Sequence, residues 1–368
     1  MNRAPIGAEI THNVLRICEH VFVRWDNLRI DGDEERNLPG YRDPALVRRF
    51  DAPEALETNF YEVRAKSALN RVPKASRMPF RWTINPYRGC THSCRWCFAR
   101  PTHNYLDFNA REDFDQQIVV KVNAPELVRA ETRRPSWKRE LVAIGTNTDP
   151  YQWVEGRYKL MPGIWEALRD SRTPCSVLTK SPLVTRDIAL LKEMSDIGLF
   201  SAAFSVPTID EKEWRASEPR TPNPYARLEA AAELSRNGIA VSVLVAPLMP
   251  GINDDPRQVE RILELAADAG VVHVSGIHLH LRGEVKDIVM DWLRSYRPDL
   301  IPRYERLYGR GAYAPTKERD RMSALVKDSW AKVAPGHKPS PRYVRMADDP
   351  ATHRVPEAAQ EQPQEALF

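Results

Sequence analysis

The chain is poor in cysteine, with five thiols in 368 residues. That count excludes a disulfide-stapled scaffold and implies free thiols in a reducing compartment. No apolar run approaches the roughly 18 residues of a membrane helix, so no membrane partner is expected. The opening Met1-Asn-Arg-Ala-Pro-Ile-Gly7 lacks the apolar stretch of a secretory signal, and a cytoplasmic protein is expected. An excess of one charge sign is also missing. The 54 basic residues are nearly matched by 50 acidic ones, for a net charge of +4. This gives no overall basic footprint for nucleic acid. Only a local run from Arg129 to Arg139, with Arg133, Arg134 and Lys138, points that way, and a solvated helix face is the commoner explanation of such a run. No repeat longer than one βα unit is present.

The cysteines that do occur are not scattered. Three fall within Cys90-Thr-His-Ser-Cys94-Arg-Trp-Cys97, while Cys18 and Cys175 stand alone. Thiolates select soft or borderline metals: zinc, copper(I) or iron–sulfur clusters. A closed zinc site wants four ligands, and His92 or His103 would complete a Cys₃His set for a zinc-stabilised structural protein. A [4Fe–4S] cluster usually takes four cysteines. With three, one iron keeps an open position that an external chelating ligand can fill.

From residue 80 onward, apolar β-rich runs alternate with segments of helical period. The runs are Phe80–Pro86, Leu141–Ile144, Cys175–Thr179, Leu199–Ser205, Ile239–Val245 and Val271–Ser275. Between them lie patterns such as Asp187–Met194, where Ile188, Leu191 and Met194 mark one buried face. Six such units predict a partial (β/α)6 TIM-like barrel over residues 76–285, an α/β fold with a parallel sheet. Residues 1–75 form an irregular N-terminal extension, whose charge run Asp31–Arg36 reads as a solvated loop. A C-terminal helical cap is expected over 286–345, and residues 346–368 lack a core-forming pattern and are expected to be disordered.

Reacting groups of parallel barrels sit at the C-terminal ends of the strands. The three cysteines follow the first strand, Gly145-Thr-Asn-Thr-Asp-Pro-Tyr-Gln152 the second, and Thr179-Lys-Ser-Pro182 the third. The fourth ends at Ser205 with Glu218-Pro-Arg220 beyond, the fifth at Pro247–Asp254, and the sixth at His278, His280 and Arg282. The two histidines are read as structural.

The Cys-x₃-Cys-x-aromatic-Cys loop after a first strand resembles the radical S-adenosylmethionine (SAM) superfamily. Asn85-Pro-Tyr-Arg-Gly-Cys90, Gly145–Tyr151, Thr179–Leu183, Glu218-Pro-Arg220, Arg227-Leu-Glu-Ala230 and Ala246–Asp254 narrow this to the spore photoproduct lyase-like branch, most like an actinobacterial subgroup, across roughly residues 78–330. The resemblance implies an enzyme whose Cys90, Cys94 and Cys97 hold a [4Fe–4S] cluster, with SAM on the fourth iron. Reductive cleavage of SAM would then yield a radical that abstracts hydrogen from a substrate. An external electron donor of flavodoxin or ferredoxin type is implied. Trp96 would lie near the adenine, Gly145 would present its backbone to the SAM amino group, and Lys180 would reach the SAM carboxylate. Ser205 and Glu218, with Arg220 beside them, would sit near the ribose or methionine end.

One departure stands out. DNA-repair members of the branch use a cysteine in the second-strand turn as a hydrogen-atom donor, and Thr146 occupies the matching position here. A nucleic-acid-binding or lesion-repair factor is thus an alternative that shares the scaffold but lacks that donor. The substrate is not legible.

Overall fold

The barrel begins where a three-residue strand, Trp82–Ile84, meets the next barrel strand in parallel. In the computed structural model, which describes residues 30–50, 57–73, 76 and 78–336, twelve strands are formed. They are β1 (Ile30–Arg36), β2 (Ala45–Phe50), β3 (Asn59–Val63), β4 (Leu69–Arg71), β5 (Trp82–Ile84), β6 (Tyr87–Arg88), β7 (Gln117–Lys121), β8 (Val142–Ile144), β9 (Cys175–Thr179), β10 (Phe200–Ser205), β11 (Ala240–Leu248) and β12 (His273–His278). Cys18 and the tail 346–368 lie outside the described residues.

The larger sheet runs β12-β11-β10-β9-β8-β5-β4. Its six strands from β5 to β12 are parallel, and β4 is added antiparallel at the edge. This is the six-unit partial barrel expected. Its inner strands are buried on both faces: the consecutive Val142, Ala143 and Ile144 of β8 are covered, as are Val241, Ser242 and Val243 of β11, and Ile84 pairs with Ile144 across β5 and β8. Near-continuous apolar runs are what a parallel sheet wrapped by helices requires. The connecting helices bury one stripe each. In Pro256–Asp268 that stripe is Val259, Ile262, Leu263 and Ala266, and the helix starts on a side-chain cap from Asp255 to the Arg257 and Gln258 amides.

A second sheet of five strands, β1-β2-β3-β7-β6, lies in the N-terminal part. The charge run read as a solvated loop is in fact β1, an edge strand paired only with β2. Its charges suit a sheet edge, where they oppose strand-on-strand association. That placement also removes the apolar alternation by which a strand is recognised. β3 finds its parallel partner β7 across a long sequence gap. The short β6, which leads into the cysteine loop, is stitched to β7 through Tyr87 and Arg88.

The C-terminal helices divide into two groups. Val285–Tyr296 and Ile301–Tyr308 pack over the barrel mouth on a separate apolar cluster with Leu279, Leu281, Met249 and Ile252. The last helix, Thr316–Val333, instead lies against β12 and sends Met322 and Val326 into the main core, where a sixth barrel helix belongs. No helix among the described residues is long and apolar enough to cross a membrane.

Candidate active site

The cysteine loop is tied down by groups that are not cysteines. Gly89 turns the chain at φ +79°, and a Cβ there would meet the His103 ring, the Ile118 side chain and the Phe114 carbonyl, each at 2.9 Å. Only glycine tolerates both the angle and the contact. The loop then folds as successive turns, with the Cys90, Cys94 and Cys97 carbonyls accepting from the Ser93, Cys97 and Arg100 amides. Arg100, 1% exposed, knots it. Its guanidinium donates to the Cys94 carbonyl (3.0 Å), to the Ala110 and Arg111 carbonyls and to Asp115 (3.0 and 3.1 Å). Ser93 Oγ completes the knot by donating to Asp115. From the barrel side, Gln152 accepts from the Thr91 amide and donates to the Gly89 carbonyl, and Thr148 Oγ1 donates to the Tyr87 carbonyl.

The three cysteines line one cavity of about 150 Å³ at the C-terminal ends of the strands, open to solvent at one side. Trp96, Gly145, Thr146, Lys180 and Ser205 line it too, as do His92, Asp149, His278 and His280. At Gly145, φ is +84° and a Cβ would lie 1.9 Å from the Leu178 carbonyl oxygen of the adjoining strand, so no side chain fits. Asp149 is the organiser of this wall. Its carboxylate accepts from Thr179 Oγ1 (2.7 Å), the Tyr151 amide (2.9 Å) and the Lys180 amide (2.7 Å), and lies 3.4 Å from His92 Nδ1.

Lys180 extends its ammonium over the Trp96 ring, 4.8 Å from the centroid, and to 3.9 Å from Glu218 Oε1. Burial pulls its pKa down, but the Cys94 thiol, Glu218 and Asp149 outweigh that against the opposing charge of Arg227, and the net direction is up. Glu218 is wholly buried beneath the cavity. Cys94 Sγ donates to its Oε1 at 3.9 Å, and Arg227, also wholly buried, approaches Oε2 to 2.8 Å. The same Arg227 nitrogen, which carries two N–H groups, also donates to Thr221 Oγ1 at 2.6 Å. Arg227 also donates to the Ser205 and Pro222 carbonyls. The Ser205 hydroxyl donates to the Ala246 carbonyl.

Arg220 stands apart. It is exposed and does not line the cavity, so the place expected for it beside Glu218 is taken by the buried Arg227. Chain proximity favoured Arg220, but the helix Pro224–Arg236 turns Arg227 inward instead. Arg100, Asp115 and Gln152 were also not singled out. Their signal was slight: Gln152 ends the quoted second-strand phrase, and Arg100 follows the last cysteine by three positions.

Burial drives the Cys90 thiol up to about 12, with the Asp149 charge adding to it, and raises Cys97 and, further, Cys94. Such thiols ionise only when a metal takes the proton's place. A soft three-sulfur set and a buried Trp96 Nε1 without a partner fit a liganded cluster and a polar cofactor. A mononuclear zinc site fits less well. Among the described residues no three His, Cys, Asp or Glu side chains converge on one ion. Nor does His103 point to the loop. Its Nε2 lies 2.8 Å from the Gln117 carbonyl, and its ring packs on Phe108 and Phe114.

Comparison with known proteins decides the family. The Radical SAM superfamily model matches residues 84–266. The chain belongs to the radical SAM superfamily. As a radical SAM protein it is an enzyme that uses a [4Fe–4S] cluster and SAM. A protein of Mycobacterium tuberculosis is 47% identical over 312 residues, 84% of this chain and 92% of the relative. One from Methanocaldococcus jannaschii is 27% identical over 195 residues, 52% and 69% of the two chains. Among solved structures, spore photoproduct lyase complexed with dinucleoside spore photoproduct superposes with a TM-score of 0.56 at 16% identity, covering 78% of this chain and 84% of the other. A variant of that lyase with bound AdoMet and the same dinucleoside gives 0.54 at 16%, covering 75% and 79%. At these identities the likeness is one of fold.

Proposed function

We propose that this radical SAM enzyme holds its cluster through Cys90, Cys94 and Cys97 and takes a hydrogen atom from a substrate entering at the barrel mouth. The convergence of the three thiols with Trp96, Gly145, Lys180 and Ser205 on one cavity carries this reading. When bound, the cluster held by Cys90, Cys94 and Cys97 would supply one-electron reductive chemistry, and SAM beside it would supply the hydrogen-abstracting group.

The chain's own residues set the conditions for that chemistry. Lys180, held by Asp149 and facing Glu218, offers a positive group to a carboxylate. Trp96 offers a ring face to a planar base, with Lys180 lying over it. Gly145 leaves its backbone approachable because no side chain covers it. Ser205 and Glu218 contribute acceptors beneath. The reducing electron would come from a flavodoxin- or ferredoxin-type partner in a reducing, cytoplasmic setting.

Lesion repair by the thiol-donor route is the weaker reading. Among the described residues no thiol besides the three loop cysteines lines the cavity, and Cys175 is wholly buried in β9. Thr146 occupies the wall, and a hydroxyl O–H is too strong a bond to serve a carbon radical well. The deciding experiment is anaerobic reconstitution, addition of SAM and dithionite, and quantification of 5′-deoxyadenosine. The parent should produce it, and Cys94→Ala should lose both the visible cluster absorbance and the product. An intact cluster with SAM bound and no deoxyadenosine would end the proposal.

A further inference from the structure

We propose that the barrel carries a second ligand site, an arginine-lined pocket at the end opposite the cofactor cavity, that takes a small phosphoanion. The pocket has a volume of about 370 Å³ and is lined by Arg129, Arg133, Arg134 and Arg139 around Trp137. These residues precede β8, and the rest of the lining, Ala167 to Ser171, precedes β9. Gly145, Thr146 and Lys180 follow the same two strands. The pocket therefore sits at the strands' N-terminal ends, and the cavity at their C-terminal ends.

Its walls are fixed. Trp137 donates its indole N–H to Thr173 Oγ1 at 2.8 Å and packs edge-on against Trp82, centroids 5.2 Å apart. Arg139 holds a left-handed φ of 56°, which closes the turn between the helix Ala124–Thr132 and β8. Charge around it is unbalanced. Arg133, Arg134 and Arg139 are exposed and have no carboxylate partner among the described residues. Arg129 leans toward Glu166 at 3.5 Å. The one carboxylate in the lining, Asp170, is engaged by Arg169 at 3.0 Å. Gathering like charges in one concavity is unfavourable until an anion joins them. Planar guanidinium forks match phosphate oxygens in pairs.

The shape selects a small ligand over a nucleic-acid backbone. The volume falls within the range of small-molecule sites. Glu140, Glu166, Asp170 and Glu193 fringe the arginines and interrupt the continuous basic stripe that a phosphodiester chain tracks.

The test is calorimetric titration of the anaerobically reconstituted holoprotein with tripolyphosphate. Saturable binding of one ligand per chain is expected, weakening at least tenfold as salt rises from about 20 to about 200 mM. Replacing all three exposed arginines (R133Q, R134Q and R139Q together) should weaken it at least tenfold again, with thermal unfolding unchanged. R261Q, at an exposed arginine elsewhere, should bind like the parent. Saturating SAM should leave the affinity as it was. Absence of saturable heat, a triple variant that binds like the parent, or competition by SAM would overturn the proposal. So would single-stranded oligonucleotides binding tighter than tripolyphosphate in proportion to their length. Deoxyadenosine formation is not the readout, so this test and that of the radical chemistry fail independently.

Discussion

Replacing Arg227 by methionine is the sharpest probe of how the cavity floor is held. Arg227 and Glu218 are both wholly buried, and Arg227 donates to two carbonyls and a threonine hydroxyl besides its ion-pair contact. Methionine keeps much of the volume but leaves the Glu218 carboxylate without its close partner, with Lys180 and the Cys94 thiol each at 3.9 Å. Stranding a buried charge in this way costs about 3–5 kcal/mol. The Ser205 and Pro222 carbonyls lose their donor as well, at about 1 kcal/mol or more each. Against a total stability of about 5–15 kcal/mol this is a large fraction. The apoprotein should therefore unfold on the order of 10 °C lower in a calorimetric scan. Adding Glu218→Gln to Arg227→Met should recover part of the loss, because the stranded charge is removed. An Arg227→Met protein unfolding within about 2 °C of the parent, or a double variant worse than the sum of the singles, would refute the reasoning.

Four further outcomes follow from the same geometry. Lys180→Met should raise the SAM concentration needed for half-maximal deoxyadenosine formation by about tenfold, corresponding to about 1.4 kcal/mol, with iron content unchanged; an unaltered SAM dependence would separate Lys180 from the cofactor. Gly145→Ala should be insoluble or unfold more than about 10 °C lower, because its Cβ collides with the Leu178 carbonyl. Gly238→Ala, also at positive φ but with open space around it, should cost only about 1–2 kcal/mol of backbone strain. Acid sensitivity should trace in part to His103, whose pKa burial lowers to about 4. Between that value and an ordinary histidine's, the unfolded chain binds the extra proton, so stability falls as pH drops through this window, by at most about 3 kcal/mol. His103→Phe should flatten that limb of a pH–denaturation curve, and identical acid midpoints would exclude the contribution.

The readable parts of the chain are those in which neighbours in sequence are neighbours in function. The three thiols share one loop, and the six apolar runs mark six parallel strands because a sheet covered on both faces leaves an uninterrupted signature. β1 escaped notice because an edge strand carrying Glu34 and Glu35 shows no apolar alternation. β3 gave no sign of its partner because pairing with β7 is a long-range event.

From the residues alone came a loop of three thiols suited to a soft metal and the six-unit barrel, since spacing and periodicity are local properties; the cluster came with the family resemblance. Folding alone decided which charged groups meet. Arg227, nine residues beyond Glu218, is buried against it, while Arg220, two residues away, faces water. Arg100 closes on Asp115, and Asp149 positions both Lys180 and His92. A buried charge must find a counter-charge wherever the packing of helices and strands presents one, and no linear pattern records which candidate the packing will bring within reach.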